Sequence, residues 1–261
     1  MSLFRYVPIF CQLLKTELVV FKESFFDKLL NSFIWTGTTI AITSYVLPSF
    51  GLSIEYGTLL AAGIVVGSAG FEIYPSVANF VADLEGDRHI AYHLTLPLPG
   101  WLLCVKHAVM STLNALLMGI FTLISSKLIL FNRFPLTALS YGKLLVIFLG
   151  YSFFFSFFTI WIISIAKSMQ SLENTFMRIV YPLWICGGFQ FTWYTLYSCS
   201  STLGYAVLCN PYIYAIEAMR GAILGQQNFL PFWICMMILT GFTIFFGWLG
   251  IVKLKRRLDF I

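Results

Sequence analysis

"IVYPLWICGGFQFTWYTLYSCSSTLGYAVLCNPYIYAI", residues 179–216, runs for 38 residues without an Asp, Glu, Lys or Arg. One helix of that length would rise roughly 57 Å, about twice the thickness of a bilayer's hydrocarbon core. Barrel strands alternate apolar and polar residues, and this run does not. The stretch must therefore hold one membrane crossing and then a second part that does not cross. Asn210-Pro211 marks where a new helix starts inside it, because Asn can cap and Pro suits the first helical position.

The rest of the chain agrees that lipid is part of its solvent. Of the 261 residues, 59% are hydrophobic and 10% charged. Soluble chains average about 25% charged residues, so this one cannot cover a water-facing surface. Its length leaves room for several spans but no large soluble domain. Residues 1–30 carry a charge every few positions, so no cleavable signal peptide is expected there. The six cysteines form no CxxC pair, which leaves no zinc or redox motif. Cys199 and Cys209 are read either as a disulfide on the outer side or as two small buried hydrophobes.

Charge-free runs place six spans near 29–47, 57–80, 103–126, 144–166, 176–196 and 230–252. The expected class is an all-α integral membrane protein, one transmembrane domain over 1–261. With the N-terminus inside, the inner side holds twelve cations, from Arg5, Lys15, Lys22 and Lys28 through Arg88, Lys106, Lys167 and Arg178 to the tail Lys253, Lys255, Arg256 and Arg257. The outer side holds four, Lys127, Arg133, Lys143 and Arg220. That asymmetry puts both termini in the cytoplasm and the protein in a cell (inner) membrane. Residues 1–28 mix Ile9, Leu13, Val20 and Phe21 with Lys15, Glu17, Lys22 and Glu23. They read as an amphipathic helix in the inner interface, or alternatively as a cytosolic helix packed on the protein itself. The loop at 47–57 reads as an outer turn. The inner loop at 83–98 opens with Asp83, Glu85, Asp87 and Arg88 and closes on Pro97 and Pro99. It reads as a short charged helix stopped by proline, suited to docking.

Few motifs carry chemistry. The only Gly-Lys dipeptide, Gly142-Lys143, lacks the surroundings of a P-loop, so any ATP-driven work needs another chain. No cofactor, catalytic group or nucleic-acid partner is expected. His89 and His93, at i, i+4, read as part of a polar interface helix in preference to a metal site. His107 reads as a hydrogen-bonded structural residue. Glu72 is the odd residue within a span, with Pro75 just after it. It is either a polar spot on a transport path or a partner in an interhelical bond or salt bridge, with Lys106 or Arg178 as candidates. In residues 210–225, "NPYIYAIEAMRGAILG", Tyr212, Ile216, Met219 and Ile223 fall on one helical face. Glu217 and Arg220, at i, i+3, fall on its flank and can pair, and Gly221 and Gly225 loosen or end the helix. Residues 195–229 then form an insert that dips into the outer leaflet and returns.

The pattern at 210–225, followed by a last span and a basic tail, resembles the signature of ABC-2 type transporter permeases. The inner loop resembles that family's as well, through Asp83, Glu85, Gly86, Pro97 and Lys106. The resemblance covers nearly the whole chain. It departs at Phe191-Thr192, where the family commonly has Phe-Pro, and at His89 and His93. It implies a permease that pairs with a second protomer, as a homodimer, and recruits two copies of an ATP-binding subunit, which hold the ATP and Mg. It implies that Asp83, Glu85, Gly86, Arg88 and Pro97 belong to a coupling helix, and that Asn210, Pro211, Glu217 and Arg220 belong to re-entrant outer gate helices between spans 5 and 6. The expected function is export of an amphipathic substrate: a lipid, glycolipid, polysaccharide or drug. Two alternatives stand beside it, a proton-coupled secondary transporter using Glu72 and a non-transporting membrane assembly factor.

Overall fold

The computed structural model describes residues 7–53, 55–86, 101–134 and 139–258. Among these residues every regular element is helical and there is no strand. The first helix, α1, runs over Val7–Ala41 and passes into a π turn, Ile42–Val46, and a 3-10 turn, Leu47–Phe50. Pro48 causes part of this. It has no N–H to give the carbonyl of Ser44, and Arg133 Nη1 donates to that carbonyl instead, at 2.6 Å.

The helices α2 (Tyr56–Phe71) and α3 (Ile73–Glu85) form one path broken at Glu72. Pro75 explains the break, since it cannot donate to the carbonyl of Phe71. Next come α4 (Trp101–Leu130) and α5 (Tyr141–Ile165). Then α6 (Met169–Thr175) and α7 (Tyr181–Trp184) are joined by a π turn at Phe176–Val180 and succeeded by another at Ile185–Phe189. Pro182 has no N–H to give the Arg178 carbonyl, and the register shifts so that Tyr181 N–H reaches Phe176 O. Gly188, at φ 85°, ends this path in the left-handed region.

Three short helices come next: α8 (Trp193–Cys199), α9 (Ser201–Val207) and α10 (Pro211–Ile223). Each starts on a side-chain cap, as the Thr192, Ser200 and Asn210 oxygens accept the backbone N–H of Thr195, Leu203 and Tyr212. The last helix is α11 (Phe232–Leu258).

Among the described residues, four helical paths are long and apolar enough to cross a membrane: Tyr56–Glu85, Leu102–Leu130, Tyr141–Ile165 and Phe232–Arg257. The expected spans at 29–47 and 176–196 are not among them. In α1 the π turn begins at Ile42, so only residues 29–41 form charge-free α-helix. The fifth expected span is cut into α and π pieces by Pro182 and Gly188. The expected interface helix over residues 1–28 is not a separate element: from Val7 onward the helix continues unbroken to Ala41. None of its residues before Thr36 is buried, and Val19, Val20 and Phe26 are exposed.

Packing puts the path from Gly57 to Gly70 in the interior, where it meets α4 and α10. α11 lies along α5, and α4 along α1 and α5. Opposite ends of the bundle are tied by different bonds. At one end Lys106 Nζ lies 2.6 Å from Glu17 Oε1, and Arg257 Nη1 donates to Ile163 O and Ala166 O, both at 2.7 Å. The latter is a cation on the C-terminus of α5, where the helix dipole favours it. At the other end Tyr45 Oη donates to Ile129 O, Tyr56 Oη to Gln190 O, and Ser140 N–H to Ala222 O.

Candidate functional site: a buried ion pair at one end of the bundle

Helix α10 is buried along its whole length, from Pro211 to Ile223. Its sequence pattern shows one apolar face and a polar flank. In the fold all its faces are covered, by α2, α5, α11 and the turn Ile185–Phe189. Its start is held twice by Asn210, which caps Tyr212 N–H at 3.0 Å and donates Nδ2 to Leu183 O at 2.6 Å. Pro211 takes the first helical position. The helix ends at Ile223, with Gly225 left-handed at φ 95° just beyond; Gly221 lies inside it.

Glu217 and Arg220 form an ion pair in this interior, with Arg220 Nη1 3.1 Å from Glu217 Oε1 and both side chains 0% exposed. Taking each charge out of water costs several kcal/mol, so the other polar positions of both groups must be served. They are. Arg220 donates Nη1 to Phe191 O at 2.7 Å, Nη2 to Phe189 O at 3.2 Å and Nε to Leu59 O at 3.4 Å. Glu217 accepts Trp193 N–H on Oε1 at 3.3 Å and Leu230 N–H on Oε2 at 3.1 Å. The Arg220 bonds fall on carbonyls exposed by the left-handed break at Gly188, and on α2. The Glu217 bonds fall on the first residue of α8 and on the lead-in to α11. One side-chain pair thus ties together four parts of the chain that are far apart in sequence.

The pair lies near the starts of α2 and α11. That is the end of the bundle opposite Arg257 and the Lys106–Glu17 bridge. Around it, α8 and α9 pack on each other with Trp193 stacked on Tyr197 (centroids 5.1 Å) and Trp193 Nε1 donating to Gly204 O at 2.9 Å. Thr192, the departure from the family pattern, is the N-cap of α8. Cys199 and Cys209 are both free and both exposed, so neither the disulfide nor the pair of buried hydrophobes is formed.

Glu72 belongs elsewhere. Its Oε2 lies 2.6 Å from Lys28 Nζ and accepts Asn114 Nδ2 at 2.6 Å. The bridge across helices is there, but Lys106 and Arg178 are not its partners: Lys106 is on Glu17. His107 is within hydrogen-bond reach of Ser76 Oγ at 3.3 Å, and Phe80 packs against its ring.

Of the expected coupling residues, Asp83 and Glu85 form the last turn of α3, with Gly86 directly after it. They continue the second path and do not open a helix of their own. Arg88, Pro97, His89 and His93 lie outside the described residues. No cluster of three or more His, Cys, Asp and Glu suited to a metal occurs among the described residues.

Several partners in these networks carry no signal in sequence. The backbone carbonyls of Leu59, Phe189 and Phe191 have none. Lys28 and Asn114 had a weak one, as a cation at the edge of a span and a lone amide within one. Comparison with models of known families, with curated proteins and with solved structures finds no match to this chain.

Proposed function

We propose that this chain is the membrane-spanning permease subunit of an ATP-driven exporter of amphipathic molecules. It would work in a cell membrane with both termini in the cytoplasm, paired with a second permease protomer and two ATP-binding subunits. The observation that carries the reading is the Glu217–Arg220 pair, fully buried and bonded to α2, to the break after residue 188, to α8 and to the lead-in of α11. Such a hub makes the short helices and the last span one mechanical unit at one end of the bundle. That is what an outer gate between spans 5 and 6 requires, and the residue pattern at 210–225 supports the same assignment. In this reading residues 29–47 and 176–196 are the remaining two of six crossings, and 195–229 re-enters the outer leaflet.

Coupling runs through the opposite end. Asp83 and Glu85, at the end of α3, lead into the inner loop at 83–98, which would seat in the ATPase together with α1. ATP-driven closure of the partner subunits moves that loop, and the rigid α2–α10 contact transmits the motion to the gate, a two-state switch of the domain-closure kind. The test is purification in mild detergent of the tagged full-length chain from its native membrane. A P-loop ATPase should co-purify, and its ATP hydrolysis should rise when this chain is reconstituted with it. Recovery of the intact chain with no ATPase partner sinks the proposal.

A further inference from the structure

A small cavity of ≈ 30 Å³ lies between α2, the broken path of α6 and α7, and Tyr212 of α10, and none of the residues that bond the ion pair lines it. Its walls are aromatic and apolar, and no charged side chain lines it. Trp184 and Tyr212 both line it, and the indole Nε1–H of the one and the hydroxyl of the other are buried with no hydrogen-bond partner in the fold. Tyr212 is 0% exposed, so water at the protein surface does not serve its hydroxyl. An unmet buried donor costs about 1–3 kcal/mol, and two at one cavity are hard to account for by packing alone.

Both donors abut the same ridge of α2. A Cβ added to Gly67 would come 3.2 Å from Trp184 Nε1, and one added to Gly70 would come 3.9 Å from Tyr212 Oη. The glycines keep that side of the cavity open to a group approaching the donors. On the other side, Tyr181 and Phe71 line the cavity while being 48% and 42% exposed, so it communicates with the outside of the bundle. The wall formed by Phe176 and Val180 is a π turn, a feature that recurs at functional sites.

We propose that this cavity is a binding site for one uncharged hydrogen-bond acceptor, an ester, amide or ether oxygen carried by a larger amphipathic molecule. The acceptor seats on Trp184 and Tyr212, and the molecule's apolar part leaves past Phe71 and Tyr181. Charge is excluded because no lining side chain could neutralise it. The volume admits one polar group or about one water, not a whole ligand. Gly67 and Gly70 lie near the middle of the crossing Tyr56–Glu85. The ester groups of resident phospholipids lie at the membrane interface, so an acceptor at mid-membrane depth belongs to a molecule in passage. That last step, the ligand as cargo, rests on the export reading; the binding chemistry does not.

The experiment uses the full-length protein in lipid nanodiscs and three photoreactive probes with the same diazirine-bearing acyl chain. They are a diacylglycerol, an anionic phosphatidylglycerol and a plain alkane. Labelled peptides are located by mass spectrometry. Diacylglycerol should label the segments containing Phe71 and Tyr181 in preference to both other probes. Trp184→Phe and Tyr212→Phe each remove one donor and keep the ring, and each should reduce that labelling about fivefold, the value of one hydrogen bond. Alkane labelling should not change, which also reports that both variants remain folded. Equal labelling by alkane and diacylglycerol overturns the proposal, as does diacylglycerol labelling that survives both substitutions. The absence of labelling there by any probe, as expected if the cavity holds only water, overturns it too. No ATPase takes part, so failure to find such a partner would leave this result standing.

Discussion

Arg220 and Glu217 lie one helical turn apart with 3.1 Å between Nη1 and Oε1, and neither side chain is exposed. The pair's value lies less in mutual attraction than in where its other bonds go. Replacing one member leaves a buried charge and several backbone groups unpaired, which typically costs about 3–5 kcal/mol. Arg220→Ala and Glu217→Ala should therefore each lower the midpoint of thermal unfolding in detergent strongly. Arg220→Lys should recover only part, because an ammonium cannot reproduce a fork reaching Phe189 O and Phe191 O together. The double variant Glu217→Gln/Arg220→Met should be less damaging than the sum of its single changes. Additive losses would mean that the two side chains act independently.

The Lys28–Glu72 bridge is weaker. Its side chains are 26% and 21% exposed, so neither charge is as fully desolvated as Glu217 or Arg220, and Asn114 gives Glu72 a second partner when the charge is lost. Glu72→Gln keeps an acceptor for Asn114 and loses only the charge. It should lower stability slightly and leave transport unchanged. Transport abolished by Glu72→Gln in a protein of unchanged stability would favour the proton-coupled alternative. The charge swap Lys28→Glu/Glu72→Lys should restore most of what either single reversal loses.

How much of this was legible in sequence depends on which interactions are local. The helix start at Asn210-Pro211 and the i, i+3 spacing of Glu217 and Arg220 are local, and that helix and that pair are in the fold. The full burial of α10 was not legible. Glu217 and Arg220 look like a polar flank in any helical projection, and only distant carbonyls make their burial tolerable. The break at Glu72 was readable from Pro75, but its partner Lys28 was not, because it comes from a helix 44 residues earlier. The splitting of the fifth path by π turns was missed although Pro182 and Gly188 were in plain view, since charge counting ignores backbone punctuation. The extent of α1 was missed for the converse reason: charges suggested a boundary near residue 28 where the backbone has none.

Gly188 offers a test of that punctuation. Its φ of 85° is disfavoured for a residue with a side chain, and an added Cβ would come 2.4 Å from Ile213 Cδ1. Gly188→Ala should destabilise by about 1–3 kcal/mol through strain and overpacking together. Pairing it with Ile213→Val should recover the packing part alone. A neutral Gly188→Ala would mean that the chain does not turn at this residue.

Cysteine accessibility tests orientation and the α8–α9 segment together. Cys199 and Cys209 are free and exposed, as is Cys11 on α1, whereas Cys104 and Cys235 are buried. Single-cysteine versions of the full chain, with the remaining cysteines changed to Ser or Ala, should react with a membrane-impermeant maleimide according to side. Those retaining Cys199 or Cys209 should label in intact cells, and the one retaining Cys11 only after the membrane is opened. Those retaining Cys104 or Cys235 should label only after denaturation. The side of Cys199 matters most. It sits at the C-terminus of α8, whose first residue is bonded to Glu217. If Cys199 labels only from the cytoplasmic side, the buried pair is at the inner end of the bundle and cannot belong to an outer gate.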